Sequence, residues 1–168
     1  CTGKYLAFLD CDDLWMNDKL SKQVDIFENN QKVVLTHSNT IFFNMDSGKS
    51  YIANRKPRLS GNIFRENILN YQFSLETVMV RLSIIQENNI DFDGRYNMIG
   101  DRDFFSMICF YGEVVYIDSV LGKWRIHENN FSKKLLTQHP KELKLFSLRL
   151  KKHFGSNYTK EMRFNIYN

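Results

Sequence analysis

A short apolar run, Tyr5-Leu6-Ala7-Phe8-Leu9, ends abruptly in Asp10-Cys11-Asp12-Asp13. Bounded by Gly3-Lys4 on one side and aspartates on the other, it reads as a buried strand opening into a polar loop. Three carboxylates within four positions repel one another unless positive charge sits among them. A hard divalent cation, Mg²⁺ or Mn²⁺, is the natural partner, because it prefers carboxylate oxygen and keeps positions open for phosphate oxygens. In open α/β sheets ligands lie beyond the carboxyl ends of strands, which is where this loop falls. The simpler use of the same residues is an Asx-turn that caps the next helix.

Beyond the loop, Asn17 or Asp18 is placed to cap a helix with Leu20, Val24 and Phe27 on its apolar face, closing at Asn29-Asn30. Val33 to His37 and Thr40 to Met45 are β-type runs, and the turn Asp46-Ser47-Gly48-Lys49 leads to a return strand near Tyr51, a hairpin-like pattern. A short helix is expected over 62–69 and a strand over Glu76 to Val80. Phe104, Phe105 and Ile108 follow Asp101 at helical spacing, and Val114 to Ile117 form another strand. Strands and helices alternate, which points to an α/β or α+β layer rather than a bundle. From Pro140 to Phe154, Leu143, Phe146, Leu150 and Phe154 share one helical face, while Lys141, Lys144, Lys151 and Lys152 lie away from it. That helix suits docking on the core, or peripheral contact with an anionic membrane.

The formal charge of +4 is too small and too dispersed to argue for nucleic acid. Cys1, Cys11 and Cys109 are widely spaced and form no CxxC pair, which fits a reducing, cytoplasmic compartment. No apolar stretch approaches the roughly 20 residues of a membrane span. The chain opens on Cys rather than Met and runs directly into a strand, so a fragment of a longer domain is expected.

The run GKYLAFLDCDDLWMNDKLSKQ resembles the centre of the family 2 glycosyltransferases, nucleotide-sugar-dependent inverting enzymes with the GT-A fold. Further segments follow in the family's order: Ser74-Leu75-Glu76-Thr77-Val78-Met79-Val80 is similar to the acceptor-side strand, and Phe92-Asp93-Gly94 to the "FDE" turn. Gly100-Asp101-Arg102-Asp103-Phe104-Phe105 is similar to the "EDwDlw" segment, and Trp124 to Ser132 to the "YRxHxxnxS" end. The resemblance implies an α/β fold with a GT-A-like mixed sheet flanked by helices, incomplete at the N-terminus. It assigns 1–135 to the second part of the glycosyltransferase domain and 136–168 to a C-terminal helical extension.

It also implies roles, position by position. Asp10 and Asp12 fill the DxD motif, with Asp12 as metal ligand and Asp10 at the ribose side of the nucleotide. Asp101 matches the catalytic base, which takes a proton from an acceptor hydroxyl, and His127 a histidine that completes the metal site in some members. Arg125 or Trp124 would line the diphosphate or the acceptor, and Mn²⁺ or Mg²⁺ would be the cofactor. The donor would be a nucleotide sugar, the acceptor a glycan or lipid-linked hydroxyl, and the setting the cytoplasmic face of a membrane. The sequence departs from the pattern at Gly100, where the family usually has Glu, and in lacking a nucleotide-binding segment before Cys1. That lack would leave a sheet edge open to association. The residues alone also suit an N-cap at Asp101, a structural Asp13, core packing for Phe42-Phe43 and Phe104-Phe105, and an ordinary surface histidine at 127. A non-catalytic binding remnant and a metal-dependent phosphotransferase or nuclease are the rival functions.

Overall fold

The computed structural model describes residues 1–128, 130 and 136–160. The expected match of Asn129, Phe131 and Ser132 to the family's end segment, and the extension beyond 160, lie outside the described residues. A mixed sheet organises the molecule. Its strands are β1 (Tyr5–Ala7), β2 (Leu14–Trp15), β3 (Val33–Asn44), β4 (Ser50–Ile52), β5 (Met79–Arg81) and β6 (Glu113–Ile126). They run in the order β1-β5-β3-β6-β2, with β4 attached to β3. Only β3 and β6 are parallel to each other. β1 therefore pairs on one side alone, with β5, among the described residues.

Alternation along the strands divides the core between two faces of the sheet. Tyr5, Ala7, Val33 and Met79 meet Phe27 of helix α1 (Lys19–Asn29) on one face. On the other, Leu6, Phe8, Leu35 and Val80 meet α2 (Phe64–Leu69), α4 (Gly100–Cys109) and α5 (His139–Phe154). The small helix α3 (Leu82–Glu87) continues directly from β5. Within α5, Phe146 and Leu150 are fully buried, and Leu143 and Phe154 pack against the same cluster, so its apolar face is spent on the core. All three cysteines are free. Among the described residues no helix is long and apolar enough to cross a membrane.

Several elements differ from expectation. The two β-type runs at 33–37 and 40–45 are one strand, β3, whose register against β6 slips on either side of Asn39. The Asn39 side chain replaces ladder partners there: Oδ1 accepts the amides of Thr40 (3.0 Å) and Asn54 (3.2 Å), and Nδ2 donates to the Asn54 carbonyl at 2.6 Å. The strand expected from Glu76 begins only at Met79, after a 3₁₀ turn over Leu75–Thr77.

The buried face of α1 is Lys19, Gln23 and Phe27, while Leu20 is exposed and Val24 half-buried. Polar residues take the inner positions because backbone carbonyls wait there. Lys19 Nζ donates to Val78 O (3.3 Å) and to Gln23 Oε1 (2.6 Å), and Gln23 Nε2 donates to Thr77 O at 2.8 Å. Asp18 stands at the N-cap without a capping bond and pairs instead with Lys22 at 2.7 Å.

The middle of β3 carries His37, fully buried between the rings of Phe73 and Tyr116 at centroid distances of 4.7 and 5.2 Å. Burial pushes its pKa down to about 3, the Leu59 backbone carbonyl, an acceptor for the protonated ring, works against that, and nearby Arg58 adds to the lowering. An unfolded histidine titrates near 6.5, so below that pH the unfolded state binds the extra proton and stability falls as pH falls. This one group should cost roughly 2 kcal/mol of stability at pH 5 relative to neutral pH. Urea denaturation at pH 7.5 and 5 should therefore show a smaller acid loss in His37→Phe than in the parent; equal losses would contradict it.

Candidate active site

The loop after β1 is fixed by the far end of β6, more than a hundred residues away in sequence. Asp13 Oδ1 accepts the Arg125 amide at 2.8 Å, and Arg125 Nε donates to the Asp12 carbonyl at 2.6 Å. Asp12 Oδ2 lies 2.8 Å from His127 Nε2. Asn130 braces that histidine, its Oδ1 accepting the His127 amide at 2.7 Å and its Nδ2 donating to Arg125 O at 3.1 Å. On the inner side, β2 pairs with β6 at Leu14 and Trp15, and Trp15 Nε1 donates to Phe8 O at 3.1 Å. Each end of the acidic loop is thus tied to a strand.

Carboxylate oxygens of Asp10, Asp12 and Asp13 all lie within 4.8 Å of one another. Their environments separate them electrostatically. The hydrogen bond with His127 holds Asp12 below the usual carboxylate range, with Arg125 assisting. Asp10 is raised, first by desolvation and then by the Asp12 charge. Burial pushes Asp13 up to about 7; the Arg125 amide opposes the rise, and Glu76, Asp12 and Asp10 add to it. Glu76 is itself buried and raised, chiefly by desolvation. The charged forms of Asp10, Asp13 and Glu76, which burial disfavours, are stabilised by a cation that enters beside them. Oxygen ligands with one imidazole suit Mn²⁺, and oxygen alone suits Mg²⁺, so the donor set fits the expected metal.

A cleft of about 700 Å³ opens over this loop, lined by Asp10, Asp12, Asp13, Ser74, Leu75, Glu76, Phe92, Asp101 and Trp124 among others. The first turn of α4, with Gly100 and Asp101, also lines it. Asp101 is not the N-cap, a position taken by Ile99. Its Oδ2 accepts the Tyr71 hydroxyl at 2.8 Å. Burial raises its pKa, the Tyr71 hydrogen bond and the backbone amides of Arg102 and Asp101 oppose the rise, and the Asp10 charge adds to it. The carboxylate that Gly100 lacks is therefore not needed to lift Asp101.

Other expected residues fall elsewhere. Asp103 points away from the cleft, fully buried with Arg149 Nη1 at 2.6 Å from its Oδ2. Arg125 does not line the cleft either; its guanidinium is engaged by the Asp12 carbonyl and stands 5.1 Å over the Phe43 ring. Phe42 is half-buried, packs edge-on against Trp124 at 4.8 Å and lines the cleft instead of the core. Phe104 and Phe105 are core, and Phe92 stacks on Phe104 at 4.1 Å.

Comparison with known proteins accords with this geometry. The sequence profile of the family described as Glycosyl transferase family 2 matches residues 1–88. The chain belongs to that family. An uncharacterized glycosyltransferase of Rickettsia bellii is 35% identical over 88 residues, which are 52% of this chain and 12% of that protein. One from Haemophilus influenzae is 30% identical over 84 residues, 50% of this chain and 32% of its own length. The chain thus spans a third or less of these curated relatives. Among solved structures, S. aureus TarS 1-349 superposes with a TM-score of 0.60 at 12% identity, covering 90% of this chain and 42% of that one. The same protein in complex with UDP gives 0.51 at 15% identity, covering 94% and 50%. The fold is the GT-A type, as the resemblance implied.

The Tyr71 hydrogen bond favours the ionised form of Asp101, so its removal raises the carboxyl pKa further. A ¹³C carboxyl titration should place Asp101 at a higher pKa in Tyr71→Phe than in the parent. An unchanged or lower value would contradict the coupling.

Proposed function

We propose that the chain carries the metal, diphosphate and base residues of a nucleotide-sugar glycosyltransferase that inverts at the anomeric carbon. The observation that carries this reading is that Asp10, Asp12 and Asp101 line one cleft, with His127 Nε2 2.8 Å from the Asp12 carboxylate. The UDP complex of TarS supports a nucleoside diphosphate leaving group. Asp12 and His127 would hold Mn²⁺ or Mg²⁺, with Asp10 turned to the ribose side of the donor. The cation supplies positive charge where negative charge develops on the departing diphosphate.

Asp101 accepts the proton of an acceptor hydroxyl as that oxygen bonds to the anomeric carbon. The bond from that carbon to the diphosphate oxygen breaks on the opposite face, so configuration inverts and a nucleoside diphosphate leaves. Tyr71 holds Oδ2 of Asp101 and so fixes the orientation of the carboxylate. A carboxylate raised by burial is a better base at neutral pH than an ordinary aspartate, provided it is still ionised. Arg125 acts by holding the loop. A glycan or lipid-linked acceptor, nucleic acid playing no part, and action at the cytoplasmic face of a membrane complete the reading. Peripheral membrane contact would come from the outward lysines of α5, because its apolar face is occupied.

Sugar transfer by Asp101→Asn tests the base. Asn keeps the shape and accepts the Tyr71 hydrogen bond but takes no proton, so turnover should fall by about 10²-fold or more while donor affinity stays within a factor of about 2. Transfer at the parent rate would remove Asp101 from the chemistry.

A further inference from the structure

The wall that presents Asp101 is not held by its own helix alone. Glu142, on the first turn of α5 and almost fully buried, accepts three backbone N–H groups in a row: Asn97 on Oε1, and Met98 and Ile99 on Oε2, each at 3.0 Å. These amides immediately precede Gly100, the first residue of α4, and Ile99 is its N-cap. Of these amides only that of Ile99 belongs to the helix start, whose first N–H groups have no intrahelical partner, and the cap residue makes no side-chain bond. A carboxylate 43 residues downstream takes the Ile99 amide together with the two before it.

We propose that Glu142 is a positioning residue for Asp101, clamping the cleft wall from Asn97 to the first turn of α4 in the geometry that proton transfer requires. The proposal rests on Asp101 being the base, as argued above. Two further contacts keep α5 from shifting relative to α4. Phe146, one turn beyond Glu142, lies under the Arg102 guanidinium at 5.6 Å, and Arg149 reaches Asp103 at 2.6 Å. Both partners follow Asp101 directly in sequence. Asn97 and Met98 line the cleft themselves, so slack in this segment moves the wall as well as the base. The charge on Glu142 is favoured although burial opposes it, because the three amide donors outweigh the desolvation and hold its pKa below the usual range. Misplacement of a catalytic group by about 1 Å is enough to cost up to roughly 10²-fold in rate.

The test compares Glu142→Gln, Glu142→Asp, Asp101→Asn and the double variant Glu142→Gln/Asp101→Asn in the protein as its gene encodes it. Gln keeps the size but puts an NH₂ group against amide donors; Asp keeps the carboxylate and retreats by one methylene. Expected are a fall in kcat of about 10-fold for Glu142→Gln with KM for the donor nearly unchanged, and partial recovery in Glu142→Asp. Amide hydrogen exchange over 96–103 should quicken in Glu142→Gln. No further loss should appear when it is added to Asp101→Asn, because a residue acting through the base has nothing left to position. Should Glu142→Gln not fold, Glu142→Asp carries the same readouts with smaller changes. Unchanged exchange, unchanged kcat, or a fully additive loss in the double variant overturns the proposal while the base reading stands. Parent-rate transfer by Asp101→Asn overturns the base reading and this proposal with it.

Discussion

The clasp between the loop after β1 and the end of β6 is the interaction on which the site depends. A loop of three aspartates left to itself would spread to keep its charges apart. Here the amide and guanidinium of Arg125 and the ring of His127 fix it against β6, and Asn130 fixes the histidine in turn. Because β6 is also the parallel partner of β3, the loop is referenced to the centre of the sheet. The pairing of β2, which follows the loop, with β6 brings the carboxylates and the histidine together although they are far apart in sequence.

The same clasp sets the electrostatics. Asp12 is held ionised by His127 and Arg125, whereas Asp13 and Glu76, deeper and desolvated, are pushed toward the neutral form. Lys19 lies in the neighbouring layer, its charge destabilised by burial so that its pKa falls to about 8, with Glu76 partly compensating. Groups of one chemical type held at different protonation by their surroundings are a mark of functional sites, although structural networks do this too. The distinguishing feature here is that the stressed carboxylates border a cleft open to solvent, where an incoming cation can reach them.

Much of this was readable from the sequence because it rests on short-range signals. The apolar face of α5 follows from spacing, and the mixed α/β sheet from the resemblance to the family; the strand expected over 5–9 is only Tyr5–Ala7 and half-buried. What sequence reasoning missed depends on partners distant in the chain. Lys19 and Gln23 look like solvent-facing helix residues until the carbonyls of Thr77 and Val78 are seen beneath them. Ser38 and Asn39 read as a gap between two β-type runs, yet they lie in the buried middle of β3. Tyr71 and Glu142 carry no local pattern. A tyrosine two residues before a phenylalanine and a glutamate on the first turn of a helix are commonplace, and only the tertiary fold gives them their acceptor and donors.

The most direct measurement of the central claim is the anomalous scattering of Mn²⁺ in crystals of the protein grown with a nucleoside diphosphate. The account predicts one strong peak in the cleft, within bonding distance of the Asp12 carboxylate and His127 Nε2 and in contact with the diphosphate. A peak at another site, or none at saturating Mn²⁺ with the nucleotide bound, would contradict it.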